Sequence, residues 1–598
     1  MRKQKLLLFI AVFFAYAYFA DTTPDANVDS RMDLIHSAVN DGTVKIDRYH
    51  ANTIDKAFFD NHYYSDKAPG IAALGIPVYF LAKNIFRILD IPLSPSTARY
   101  IITLFVICLP SALVSLLIFD FLLKLKKSMR FALLLSLAYS LCTPAFTYAT
   151  LLYGHETSAA LAFASFYLLF RTKEDPGREN KLLPASGFLA AYAVISEYPT
   201  GIIFLALFFY AFAITKKKNK ALLFLAGAIV PALLLMAYNY LCFSNPFSLT
   251  YRHLSNPEFK AGSGRGFMGV SLISPKALYS ILISPQKGLL FFSPFLILLF
   301  PGFYSMRRNK EYEKEMLLFL SVALIFVYFN ASFYGWHGGW SFGARYMVQA
   351  MPFMAIPVIF CLGRYLIPFY VLASISAVLV FLGTGINPHV PDLFKNAAGE
   401  FLIPLAREGF AIKNLGMLFG LKNAYSLLPL VIFLSVMIFI LIRNSGNGGG
   451  REEKTDLSGT MVIFALTLLL YSQVLFTKTR ESDAMHYSLA RTYDSAGMRD
   501  KAVAFYEKAI ELNPEMKEAV INLGIIYYAR KRYDRAKHYF EEATRIAPRD
   551  ARAYNCLGAA YASSGSFEEA ESCFRKALLL DPSFLEAQEN LDRIGAIR

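Results

Sequence analysis

The sequence predicts an all-α membrane protein in two parts. A polytopic transmembrane helical bundle of about 13 spans comes first, and an α-solenoid of three helix-pair repeats follows. Three observations predict it. Apolar segments of about 20 residues or a little less recur between residues 6 and 476. Short clusters of Lys and Arg separate many of them. From residue 483 onward a 34-residue period takes over.

Composition sets the class. The 598 residues are 55% hydrophobic and 18% charged, with a positive mean hydropathy. A soluble globular chain averages about 25% charged residues. The net charge of +15 invites a nucleic-acid reading. Much of the Lys and Arg lies in short clusters between apolar segments, which is the mark of membrane topology, so no nucleic-acid partner is expected. The six cysteines, Cys108, Cys142, Cys242, Cys361, Cys556 and Cys573, contain no CxxC pair. Neither a zinc site nor a disulfide framework is supported, and free thiols are expected.

The N-terminal part, residues 1–480, opens with Arg2, Lys3 and Lys5 before an apolar run at 6–19. A first span and a signal peptide ending at Ala20 are both open readings. Either places Asp21 onward outside the cytoplasm. Residues 21–100 then form one external segment. Within it, 72–89 is apolar but interrupted by Gly75, Pro77, Lys83 and Arg87, and it reads as an interfacial or re-entrant helix.

A span at 101–123 runs inward to Lys124, Lys126, Lys127 and Arg130. Further spans alternate at 131–152, 159–170, 182–195, 202–214, 221–241, 288–303, 317–333, 346–362, 365–381, 427–442 and 461–476. Lys216 to Lys220, Arg307 with Arg308, and Arg443 all fall on the inner side. A Gly-rich linker, 446–450, precedes the last span. With an odd number of spans, the C-terminus lies outside. Lys478 and Arg480 after the last span argue mildly against that parity.

In the second part, residues 481–598, Leu489, Leu523 and Leu557 recur at the period. So do Tyr493, Tyr527 and Tyr561, then Ala502, Ala536 and Ala570, then Pro514, Pro548 and Pro582. Ala490, Gly524 and Gly558 fill a small position, and Tyr506, Phe540 and Phe574 an aromatic one. The pattern resembles the tetratricopeptide repeat in three copies. Small residues let the paired helices approach, and stacking makes a concave face. A protein partner or acceptor is expected there.

Sorted by side, the outer loops hold Asp29, Arg31, Asp66, Lys67, His155, Glu156, Glu197, His337 and Arg345. Charges at a membrane edge are costly unless paired or functional. One chemistry fits them. A carboxylate serves as general base on an acceptor hydroxyl, and cations neutralise a phosphate leaving group. Trp336 and Trp340 would stack on a sugar or a lipid head.

Asp29-Ser30-Arg31, followed by Tyr64-Ser65-Asp66-Lys67-Ala68-Pro69, resembles the first external loop of the GT-C membrane glycosyltransferases. The nearest branch is that of the protein O-mannosyltransferases and aminoarabinose lipid A transferases. Ala68 stands where that branch usually has its first proline. The resemblance covers roughly residues 6–476. It implies transfer of a sugar from a polyprenyl-phosphate carrier, with inversion, outside the cytoplasm of the inner or plasma membrane. The acceptor would be a protein, a lipid or a glycan. It implies Asp29, Asp66 and Glu156 as catalytic acids, with Asp29 and Asp66 also the acids for a divalent metal. Arg31, Tyr64, Lys67, His155, Trp336, His337 and Arg345 would bind substrate, Lys67 on the carrier phosphate.

Plainer roles stand beside each of these. Asp29 is a solvated loop acid, and Lys67 an interfacial anchor. His155-Glu156 caps the next helix, and Glu197 stabilises the turn at Pro199. Trp336 and Trp340 are belt aromatics, and Arg345 snorkels. A transporter and a membrane scaffold that presents the repeats are the competing functions. The transporter reading predicts ionisable residues within spans and two echoing halves.

Overall fold

The computed structural model describes residues 1–21, 23, 25–125, 127–445, 458, 460–463, 467, 481–495, 497–582 and 584–597. The linker at 446–450, most of the expected span at 461–476, the 478–480 stretch and Lys126 lie outside the described residues. The protein is 74% helical. It forms two compact units, Met1–Lys478 and Thr479–Arg598.

Helix α1, Arg2–Ala17, lies inside the first unit. Leu8, Ala11, Val12, Ala15 and Tyr16 are fully buried. Lys5 pairs with Asp120 on the helix Leu109–Lys124, and the Tyr16 hydroxyl donates to the Ser140 carbonyl at 3.1 Å. The first apolar run is therefore an integral helix of the bundle.

Among the described residues, six helices are long and apolar enough to cross a membrane: Gly70–Ile88, Pro95–Lys124, Lys218–Phe243, Lys310–Ser332, Leu366–Gly385 and Asn423–Arg443. That is consistent with a membrane protein. Several other expected spans have a different form. The run 288–303 splits at Pro294 into a turn of α-helix, a 3-10 segment and the helix Leu299–Arg307. The run 346–362 divides in the same way around Met351–Ala355, with Pro352 and Pro357 inside it. Proline removes a backbone donor and crowds the preceding turn, so neither run continues as one helix. Nearly every side chain of 346–362 is buried, so its apolar character serves the core.

The segment expected to lie outside, 21–100, is folded. Asp25 caps helix α2, Ala26–His36, by accepting from the Asn27 and Val28 amides. Strands β1, Lys56–Phe59, and β2, His62–Ser65, pair antiparallel with Lys56 opposite Ser65. Their two-residue turn, Asp60-Asn61, has positive φ at both positions, as a tight hairpin turn demands. This hairpin departs from the all-α expectation.

Helix α3, Gly70–Ile88, runs unbroken through Pro77. Pro77 and Gly75 do not interrupt it, and the segment expected to be broken is one continuous helix. Gly75 sits where a Cβ would come within 2.5 Å of Ile35, which lets α3 lie close on α2. Lys83 of α3 donates to Asn40 at 2.7 Å. Between Glu179–Ser196 and Leu222–Phe243 the approach is closer still. A Cβ on Gly187 would meet the Phe224 carbonyl at 1.7 Å, and one on Gly227 the Pro184 carbonyl at 1.9 Å.

The second unit pairs Asp483–Ser495 with Arg499–Leu512, Lys517–Ala529 with Tyr533–Ile546, and Ala551–Ser563 with Phe567–Leu580. Leu585–Ile597 follows. Gly524 and Gly558 lie where a Cβ would press on Phe540 at 2.6 Å and Phe574 at 2.7 Å. The small and aromatic repeat positions thus meet across each helix pair. All six cysteines are free.

Candidate functional site

The hairpin assembles the first part of the site. Because Lys56 faces Ser65, the residues flanking the strands, Asp55 and Asp66-Lys67, emerge side by side. The Lys67 ammonium lies 2.7 Å from Asp55 and 3.1 Å from Asp66. Burial opposes its charge, but the two carboxylates outweigh burial and hold its pKa above the usual lysine value. Burial lifts that of Asp66. Ser30 of α2 bonds both Ser65, at 2.8 Å, and Asp66, at 3.3 Å.

Helix α2 supplies the second part. Arg31, 2% exposed, donates to Glu197 at 2.7 Å. Glu197 also lies 4.0 Å from His155, whose ring is held by the Gln349 amide at 3.0 Å. Two residues before Arg31 on α2, Asp29 pairs with Arg99. Burial pushes Asp29 up to about 6 against that partner. Burial also lifts Asp33 to about 7, and one of its oxygens has no hydrogen-bond partner. A small cleft beside them is lined by Phe19, Asp21, Arg99, Tyr100, Thr103 and Leu152.

The loop after Leu366–Gly385 closes the third side. His389 lies 2.6 Å from Asp21 and 3.1 Å from Asp25. Burial works against its charge, yet the two acids raise it to about 10. Asp25 also accepts from the Tyr153 hydroxyl at 2.6 Å. Beside this loop, His337 pairs with Asp392 at 3.0 Å, and the Ser341 amide bonds the Val390 carbonyl at 2.9 Å. Lys287, 1% exposed, reaches under the Gly-rich loop to the carbonyls of Gly339 and Ser341 and to the Ser341 hydroxyl. Burial pushes it down to about 7.

Arg345 lies over the rings of Tyr346, at 4.8 Å, and Tyr153, at 5.7 Å, and donates to the Tyr346 hydroxyl. Gly338 runs so close that a Cβ there would meet the Arg345 side chain at 3.0 Å. Its positive φ, +68°, suits glycine alone.

The structure therefore brings Arg31, Asp66, Lys67, His155, Glu197 and Arg345 into one polar region. Glu197 lies within electrostatic reach of His155, Arg31, Arg345 and Lys67. Other expected residues go elsewhere. Glu156 sits two residues into its helix but turns into the bundle, where it accepts from the Tyr139 hydroxyl at 2.6 Å and its second oxygen has no partner. Its helix has no side-chain cap. Tyr64 packs in the core against Phe243. Trp336 and Trp340 are half-buried on the Gly-rich loop, with Trp336 edge-on to His337.

The metal expectation for Asp29 and Asp66 does not fit. Each acid already faces an organic cation, Arg99 for one and Lys67 for the other. Among the described residues, no group of three or more His, Cys, Asp or Glu is placed to hold a metal ion.

Asp25, Asp55, Arg99, Lys287 and His389 were not singled out from the sequence. Asp55 meets Lys67 across the hairpin, whereas the others pair with residues far along the chain, Asp21 with His389 being 368 positions apart. The available signal was local: Lys287 follows Pro285 at the head of an apolar run, and His389 lies between Pro388 and Pro391.

Two family models match, both described as tetratricopeptide repeat, at residues 493–560 and 551–584. The second unit thus carries tetratricopeptide repeats. No curated protein matches the chain. Similar solved structures include the first TPR of Spaghetti (RPAP3) bound to HSP90 peptide SRMEEVD. It is 23% identical, has a TM-score of 0.19, and covers 19% of this chain and 92% of that one. The Arabidopsis OM64 TPR domain is 24% identical, with a TM-score of 0.18 and coverages of 19% and 93%. The MamA 41-end chain from Desulfovibrio magneticus RS-1 is 24% identical, with a TM-score of 0.19 and coverages of 22% and 74%.

Proposed function

We propose that the protein is a multi-pass membrane glycosyltransferase. It moves a sugar from a polyprenyl-phosphate carrier to a hydroxyl acceptor on the extracytoplasmic face, and the repeats recruit a protein acceptor or partner. The observation that carries this reading is the gathering of buried acids and cations from five separate segments at residues 21–67, 99, 155–197, 345–349 and 387–392. A loop that only joined helices would have no use for them, and desolvated charge is costly.

Asp29 is the proposed general base. It lies beside the cleft and is held near neutrality, where a base is most effective. The cations are proposed to offset the negative charge that develops on the departing phosphate. External placement of 21–100 belongs to the same proposal. About 13 spans and an outer C-terminus belong to the same proposal.

Transport is a second reading, favoured by one observation. Glu156 is fully buried on a helix with an unpartnered oxygen. Donor consumption by membranes containing Asp29→Asn or Glu156→Gln separates the two. The transferase reading expects the first variant to lose turnover. Equal activity in both variants and the unaltered protein counts against it.

A further inference from the structure

We infer that Arg345 forms the phosphate-binding subsite of the membrane unit, and that its ligand is a polyprenyl phosphate monoester. The lipid identity rests on the transferase reading above, whereas the anion site does not. The buried and half-buried cations of this region are compensated differently. Arg31 is matched by Glu197 at 2.7 Å. Lys67 is matched twice, by Asp55 and Asp66. Arg99 is matched by Asp29, and His389 by Asp21 and Asp25. Lys287 is spread over carbonyls of the Gly-rich loop.

Arg345 differs. Among the described residues no carboxylate lies within ion-pair distance of it. Glu197, an acid that interacts with it, is already engaged by Arg31 and lies 4.0 Å from His155. The Arg345 Nε is buried without an acceptor. A guanidinium kept this way in a desolvated place is costly unless an anion completes it.

The surroundings are built to hold that guanidinium still. Tyr346 and Tyr153 present their ring faces to it. Tyr153 is fixed by Asp25, and Tyr346 lies edge-on to His155 at 5.6 Å. Gly338 closes one side, and Lys287 anchors the loop that carries it. Beyond the bond to the Tyr346 hydroxyl, the rest of the planar N–H fork of Arg345 can meet two oxygens of a phosphate. Lys67 would first have to be drawn away from two carboxylates.

The test measures binding to the purified full-length protein in detergent by calorimetry. The probes are farnesyl phosphate, farnesol and inorganic phosphate. The unaltered protein is expected to bind farnesyl phosphate and to bind farnesol and inorganic phosphate at least tenfold more weakly. Arg345→Gln should weaken farnesyl phosphate binding about 10–100-fold, the ratio that corresponds to loss of one charge-assisted contact. Arg345→Lys keeps the charge but loses the fork, and should weaken it about tenfold. That variant provides the reading if the first fails to fold. Arg48→Gln, at an exposed cation outside this region, should change affinity no more than about threefold.

Equal affinity for farnesol and farnesyl phosphate overturns the inference, as does an Arg48→Gln loss matching that of Arg345→Gln. Inorganic phosphate binding as tightly as farnesyl phosphate overturns the lipid identity. If these ratios hold while no sugar donor is consumed, the transferase reading falls and the subsite stands.

Discussion

Lys67 holds two buried carboxylates at once, so its removal leaves Asp55 and Asp66 facing each other without a cation. Breaking a buried ion pair from one side costs about 3 kcal/mol or more. Lys67→Ala should therefore lower the melting temperature of the membrane unit, and its effect on carrier affinity should be secondary. A melting curve unchanged by the substitution contradicts that role. His389 makes a pH-dependent claim. Its folded pKa, about 10, stands above the ordinary value of about 6.5. A raised histidine contributes stability that is fully present below about 6.5 and is lost as pH rises through about 10. Melting temperature should fall across that window in the unaltered protein, and fall less in His389→Gln. Parallel pH profiles for the two proteins count against the Asp21–His389–Asp25 clamp.

The helices of the repeats were legible because every contact that pairs them recurs at the period. Gly524 meets Phe540 as Gly558 meets Phe574, and the sequence alone places both pairs. The site was legible only where its residues share one loop. Asp66 and Lys67 are neighbours in the chain, whereas Arg31 reaches Glu197 across 166 positions and Asp29 reaches Arg99 across 70. Nothing in local pattern encodes such distances. Spans failed as an expectation where an apolar run was rich in proline, as in 346–362, because hydropathy reports burial in lipid and burial in protein alike. At this scale the closest helix contact gives a direct test. Gly187→Val or Gly227→Val inserts side-chain atoms where a carbonyl lies under 2 Å from the position of a Cβ. Overpacking of this kind costs about 1–3 kcal/mol or more. Both variants should give less folded protein on size-exclusion chromatography, while Gly595→Val, with open space around it and no positive φ, serves as a control for expression alone.

For the whole molecule, the proposal places the acid-rich loops and the repeats in one compartment. Cys556 and Cys573 are free and partly exposed, so a maleimide that cannot cross membranes should label them in intact spheroplasts. Labelling only after lysis would put the repeats on the cytoplasmic side and favour a scaffold role. Deleting 483–598 should spare carrier binding and impair use of the acceptor, since a tethered groove raises local acceptor concentration. The central claim is that the membrane unit consumes a lipid-linked sugar through Asp29. The most direct measurement is donor turnover by the purified full-length protein in liposomes, across a panel of polyprenyl-phosphate sugars. The account predicts that one donor is converted to free polyprenyl phosphate, and that Asp29→Asn slows this about 100-fold or more, the usual contribution of a general base. Consumption of none of the donors, or equal rates for the two proteins, would contradict it.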